Sequence, residues 1–435
     1  MIPAPAKPCR LLILVALAFA VPGAVLAQSD AAGADAGAQE SDHPGPSRRV
    51  ADEQQEKQQD EPDQDPTEIR GVWRDGLRME TVDGRFQLSI GGRVQLDTAF
   101  FADEDAFDGL FGKLENATEV RRARLHLQGY MYGSVDYKFE LDFAGGRADI
   151  KDLYLGVRNL PVNLRFGHQK EPWSIEQQTS SRFITFMERS LAVVFSPERN
   201  FGVRVERNMD GRTSWAAGVF RETDGFAGAV GDNYNLTGRV THAPILDNDG
   251  RNLLHLGVGY THKLVDGALT LELRPDVHTG PKLIQLVVPA TSADYLQGEV
   301  AANIGSLAFQ AEYVQAWIKS TERNDPSLNG WYVQGSYFLT GESRPYTGTL
   351  FNRVKPRHNF LDGGSGAWQI AARYARADLS EGTESGLGVL AAFTAGLNWH
   401  WNPNVRLMFN FTRTNITDLG TDPTSIYQWR VSFNL

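Results

Sequence analysis

A period-two alternation governs this chain: from Gly84 to the end, charged residues are set between large apolar ones. Residues 86–97 read Phe-Gln-Leu-Ser-Ile-Gly-Gly-Arg-Val-Gln-Leu-Asp, with the apolar side chains at even positions. Tyr137, Phe139, Leu141 and Phe143 enclose Lys138, Glu140 and Asp142, and Tyr427 to Leu435 alternates without a break. Such segments are strands with two unlike faces. The charged face needs water, and the apolar face needs lipid or a core. A closed lipid-spanning barrel meets both demands, and closure leaves no unpaired backbone edge. A soluble sandwich meets them with the faces exchanged, so alternation alone does not separate the two.

Connection lengths do. Candidate strands fall at 84–101, 119–132, 134–144, 149–158, 161–168, 200–207, 213–222 and 233–242. Others follow at 253–263, 294–304, 306–318, 329–339, 367–377, 390–401, 405–414 and 426–435. Sixteen is even, as single-chain bacterial barrels require. Tight turns rich in Gly, Pro and Asn (Gly133, 159–161, 208–211, 305–306, 402–404) take turns with long loops at 102–118, 169–199, 223–232, 264–293, 319–328, 378–389 and 415–425. Short turns at one rim and long loops at the other are the barrel pattern. Residues 243–252 and 340–366 break it on the short side. Trp399, Trp401, Tyr427 and Trp429 fall on the outward register near strand ends, where interfacial aromatic girdles sit.

The N-terminal region is of another kind. Lys7 and Arg10, the apolar run from Leu11 to Val21 and the Val25-Leu26-Ala27 end predict a signal peptide over 1–27, cleaved after Ala27. Its apolar run is too short to span a bilayer as a helix. The one cysteine, Cys9, lies inside it, so disulfides and thiolate metal sites are not expected in the mature chain. Residues 28–70 carry twelve acids and four bases and almost no aliphatic side chains, which predicts an acidic disordered segment. That segment supplies most of the formal net charge of −10, so total acidity says little about a pore. The barrel is expected over 71–435.

Alternation points Arg93, Arg122, Arg124, Arg165, Arg204, Arg239, Arg406 and Arg430 inward, together with Asp97, Glu140, Asp142, Asp152 and Glu206. Guanidinium groups stay charged and present a planar fork to oxyanions, so a file of them in a narrow wall attracts anions. Pairing with the neighbouring acids is the competing role of each arginine. The connection 169–199 is long, poor in glycine and holds Trp173, Ile175, Phe183, Phe186 and Met187, so it should fold and pack. Inside the barrel it would form a constriction, with Lys170, Arg182 and Arg189 as the bases nearest the narrowest point. An extracellular cap is the alternative.

Several fragments resemble one known family. They are Arg121-Arg122-Ala123-Arg124-Leu125, Asp136 to Ala144, Gly167-His168-Gln169-Lys170-Glu171-Pro172-Trp173, Thr179-Ser180-Ser181 and Met187-Glu188-Arg189. Leu339-Thr340-Gly341-Glu342, Val354-Lys355-Pro356, Gly366-Ala367-Trp368 and Ala372-Arg373-Tyr374 follow. Over residues 80–435 the chain is similar to the phosphate-selective porin O and P family. The resemblance implies an all-β, sixteen-stranded antiparallel transmembrane β-barrel in the bacterial outer membrane, with an inward-folded constriction loop. It also implies a homotrimer embedded in outer-membrane lipid and passive uptake of small anions such as phosphate or polyphosphate. Carried over residue by residue, it marks Lys170, Arg122, Arg124 and Arg189 as anion contacts. A general or carbon-source channel on the same scaffold and a plugged structural or adhesive barrel are the alternatives. The nine histidines are scattered, with His126 and His255 on inward registers and no nucleophile elbow beside them. Catalysis, cofactors, metals and nucleic acid are not expected.

Overall fold

A computed structural model describes residues 65–435 apart from 74–75, 103–113, 226, 230, 323, 384–387 and 420–422. The expected signal peptide and nearly all of the expected acidic segment lie outside the described residues. Sixteen antiparallel strands make the wall: β1 (Gln87–Phe101), β2 (Ala117–Met131), β3 (Val135–Asp142), β4 (Asp149–Val157), β5 (Asn163–Lys170), β6 (Arg199–Met209), β7 (Thr213–Arg221) and β8 (Tyr234–Asp247). The second half holds β9 (Asn252–Leu264), β10 (Ile284–Ile304), β11 (Leu307–Ser320), β12 (Ser327–Phe338), β13 (Ala367–Asp378), β14 (Val389–His400), β15 (Val405–Ile416) and β16 (Thr424–Asn434). Each strand pairs with the next, and β16 returns to β1 in a register running from Ile426↔Phe101 to Asn434↔Arg93. The barrel is closed.

The faces settle the choice between barrel and sandwich. On β1, Val94, Leu96 and Phe100 point outward and exposed, while Arg93, Gln95 and Asp97 are buried inside. On β16, Tyr427, Trp429, Val431 and Phe433 are exposed and Gln428, Arg430 and Ser432 are buried. Apolar residues outside and polar residues inside suit lipid around and water within. The seam itself is held from the inside, where Arg430 Nε meets Asp97 Oδ1 at 2.6 Å.

Two irregular regions on the short-turn side acquire a structure. The strands β8 and β9 run on past a bulge between His242 and Ile245, which leaves a short turn at 248–250 in place of a ten-residue loop. Residues 339–366 fold against the inner wall at that rim. A short ladder pairs Tyr346 with Phe351. The Tyr346 hydroxyl bonds His255 Nδ1 at 2.7 Å, and Tyr346 and Phe351 pack with Ile175, Ala243, Leu253 and Ala301. Gly250, at φ +85°, is required here because a Cβ would stand 2.5 Å from that of Tyr346. Trp368 stacks on Trp399 at 4.8 Å, with Phe360 and Trp401 against them at the same rim.

On the long-loop side, β10 starts ten residues before the expected strand at 294, and its extension pairs with a short strand, Ala268–Leu273. Here the pattern reverses: Leu269, Leu271, Leu273, Leu286 and Val288 face an apolar core shared with Leu191 and Phe195. An antiparallel sheet with water on one side turns its apolar face to a core. At the start of the described chain, Ile69–Trp73 pairs with Leu77–Thr81, which joins the first turns of β1. Residues 69 and 70 are therefore in a strand, a little inside the expected boundary of the acidic segment.

Candidate functional site: a basic cavity in the barrel wall

Segment 171–198 leaves β5 and comes back to β6, and its local sequence explains its fold. Ser174 caps a single helical turn (Ile175–Gln178) by accepting from Gln177 N at 3.3 Å. Trp173, Ile175, Phe186, Met187 and Phe195 are buried. The polar contacts reach strands all around the wall. Ile175 N donates to Glu299 on β10 and Glu176 N to Glu312 on β11, both at 2.7 Å. Arg373 on β13 donates to the Glu188 carbonyl at 3.0 Å, and Asn398 on β14 to that of Thr185 at 2.9 Å. Arg406 on β15 donates to the Ile184 carbonyl at 2.9 Å, Arg430 on β16 to that of Met187 at 2.5 Å, and Arg93 on β1 to Ser180 Oγ at 3.1 Å. All these wall side chains are buried on the inner face.

Glu188 is the charged hub of the segment. Arg121 grips it with Nε and Nη2, each at 2.9 Å, and Arg430 Nη2 adds a third contact at 2.9 Å. Burial would raise the Glu188 carboxyl, but Arg121, Arg122 and Arg430 together hold it well below the usual range.

Beside the segment lies a cavity of about 240 Å³. Eight of the eleven bases singled out from the sequence line it, Arg93, Arg122, Arg124, Arg165, Lys170, Arg182, Arg189 and Arg204, whereas Arg239, Arg406 and Arg430 lie elsewhere on the inner wall. Lys138 and Arg199 join them, while Glu140 and Asp152 are the two acids in the lining. A larger space of about 830 Å³ on the long-loop side shares Arg122, Arg124, Lys170, Arg189 and Arg199, so those five stand where the two spaces meet.

Pairing divides the bases into two groups. Arg93 meets Glu140 at 2.8 Å, Arg124 meets Asp142 at 2.6 Å, Arg199 meets Asp152 at 2.7 Å, and Lys138 meets Glu140 at 3.0 Å. Arg204 meets Glu206 at 2.6 Å and Arg165 the same carboxylate at 3.2 Å. Arg122 donates to Gln95 at 2.8 Å, with Glu188 at 3.9 Å. Lys170 and Arg189 differ. Lys170 Nζ donates to the carbonyls of Gln177 and Gln178, and Arg189 to those of Glu176 (3.0 Å) and Thr179 (2.9 Å). Among the described residues neither has a carboxylate within 4 Å. Carbonyl dipoles orient a cation without cancelling its charge, so these two leave a net positive field in the cavity.

Three bases went unmarked by the sequence reading. Lys138 lies on the same register as Glu140 and Asp142, so counting by twos from Glu140 finds it. Arg199 begins β6 one residue before the expected strand. Arg121 escapes the alternation because the β1–β2 ladder slips between Gln95 and Leu96, leaving an extra residue on β2. Such a bulge puts two consecutive side chains on one face, and Arg121 and Arg122 both reach Glu188 inside.

Comparisons with known proteins agree with the barrel fold. Porin O of Pseudomonas aeruginosa is 27% identical over 382 residues, which cover 76% of this chain and 84% of that protein. An anion-selective porin from Comamonas acidovorans superposes with a TM-score of 0.51 at 14% identity, over 80% of this chain and 99% of its own. The trimer form of OmpT, an outer membrane protein of Vibrio cholerae, superposes with a TM-score of 0.51 at 12% identity, over 80% of this chain and 99% of its own. The family model for phosphate-selective porin O and P matches residues 88–433, and the chain belongs to that family.

Proposed function

We propose that this porin of the bacterial outer membrane passes small oxyanions, phosphate or polyphosphate first among them, through the basic cavity beside segment 171–198. The observation that carries the reading is the lining: ten bases against two acids, with Lys170 and Arg189 held by carbonyls alone. In this reading segment 171–198 narrows the channel, and Lys170, Arg122, Arg124 and Arg189 touch the ion where the two spaces meet. Arg93, Arg165, Arg182 and Arg204 line its path. An oxyanion leaving bulk water trades hydration for guanidinium and ammonium donors, and neighbouring bases hand it on without a deep trap. The name of the family supports phosphate, and the name of the Comamonas porin supports anions. A homotrimer is supported by the trimer form of the Vibrio protein, and cleavage of residues 1–27 by the leader sequence.

Single-channel chloride current in planar bilayers tests the proposal. Added phosphate or pyrophosphate is expected to block at lower concentration than sulfate or a dicarboxylate. Equal block by all four points to the general channel, and block by the dicarboxylate first to a carbon-source channel. An absence of current marks a plugged barrel.

A further inference from the structure

Beneath residues 182–185, at the short-turn rim, a separate cavity of about 20 Å³ is enclosed by Arg344 and Arg353 of the 339–366 connection, Arg406 and His400 of the wall, and Arg182. No carboxylate lines it. Arg406 is 4% exposed, and its Nη1 donates to the Ile184 carbonyl at 2.9 Å. Its Nε and Nη2 are buried with no partner, as is Nε2 of His400. Arg344 is equally buried. It donates to Gln310 at 2.6 Å and lies 3.5 Å over the Phe351 ring, and among the described residues no carboxylate stands within 4 Å of Arg344 or Arg406. A buried guanidinium with idle donors and no counter-charge is an unstable arrangement.

We propose that this cavity is a binding site for one small monoatomic anion of the size of chloride, held by Arg406 and Arg344. Size sets the ligand class. A cavity needs about 10–15 Å³ to hold one water, so about 20 Å³ is room for one small ion. Charge separates the ion from water, because a neutral molecule would fill the donors but leave the guanidiniums uncompensated. Arg344 comes from the connection and Arg406 from β15, so the ion also ties the connection to the wall. Arg182 borders both this site and the larger basic cavity, but Arg406 and Arg344 line only this one, so the site stands whether or not that cavity selects phosphate.

The test is an anomalous difference map from crystals of the full porin grown in bromide instead of chloride. One bromide peak is expected within hydrogen-bond reach of Arg406 Nε and Nη2, present in wild type and lost in Arg406→Gln and in Arg344→Gln. A wild-type map with no peak there, or with phosphate in its place, overturns the proposal. So does a peak that survives both substitutions. The wild-type map decides alone if the variants do not fold.

Discussion

Lys170 and Arg189 carry the sharpest expectation at the scale of single side chains. Both hold backbone carbonyls of the 175–179 turn, so each also has a structural part. Unit charges about 4 Å apart interact by about 1 kcal/mol in water and about 4 kcal/mol at an effective dielectric of 20. Removing either charge is therefore expected to weaken phosphate block of the chloride current by about fivefold or more, as 1.4 kcal/mol is tenfold. Lys170→Ala and Arg189→Ala should show this in bilayer recordings, and Lys170→Arg should restore part of it by restoring charge. Unchanged block in both alanine variants would remove them from the ion path. A paired arginine has a second part: Arg93→Ala also leaves Glu140 to Lys138 and Arg124. Sequence alternation found the inward set but not this division, because pairing depends on which strands are neighbours. Arg430 meets Asp97 across the closing seam, 333 positions away in the chain.

A strand here is specified by what surrounds it, and its outward face can be tested directly. Val240 sits midway along β8, is 58% exposed and points outward. An arginine at the bilayer midplane costs about 2–4 kcal/mol, so Val240→Arg should lower unfolding stability in lipid by that amount. Val240→Leu should change it by less than about 1.5 kcal/mol, and denaturant titration of the refolded barrel in vesicles measures both. All sixteen wall strands were legible for this same reason, since water on one side and lipid on the other write period two into each. Where the surroundings differ, the writing changes. Leu269, Leu271 and Leu273 alternate as cleanly as any wall strand, yet they stand among loops with their apolar side turned to a core. A reading that places every strand in lipid passes over them. Residues 339–366 have no alternation at all. Their fold is dictated by single anchors, Tyr346 on His255 and Asn303 on the Arg344 carbonyl at 2.8 Å, and such distant contacts leave no local signal.

At the scale of the molecule, total charge and the field in the pore point in opposite directions. The chain is formally −10, yet the cavity lining holds ten bases and two acids. Twelve acids and four bases of that total lie in residues 28–70, ahead of the wall strands in the chain. Fields between solvated charges die away over about 8 Å at physiological ionic strength, whereas a low-dielectric wall concentrates the field of its own lining. Ion preference should therefore follow the lining and be indifferent to the acidic segment. In a potassium chloride gradient the reversal potential is expected to have the sign of chloride selectivity. It should keep that sign and magnitude when residues 28–64 are deleted with residues 1–27 left in place. A shift toward potassium in the full chain, reversed by the deletion, would show that the segment reaches the pore and sets its preference.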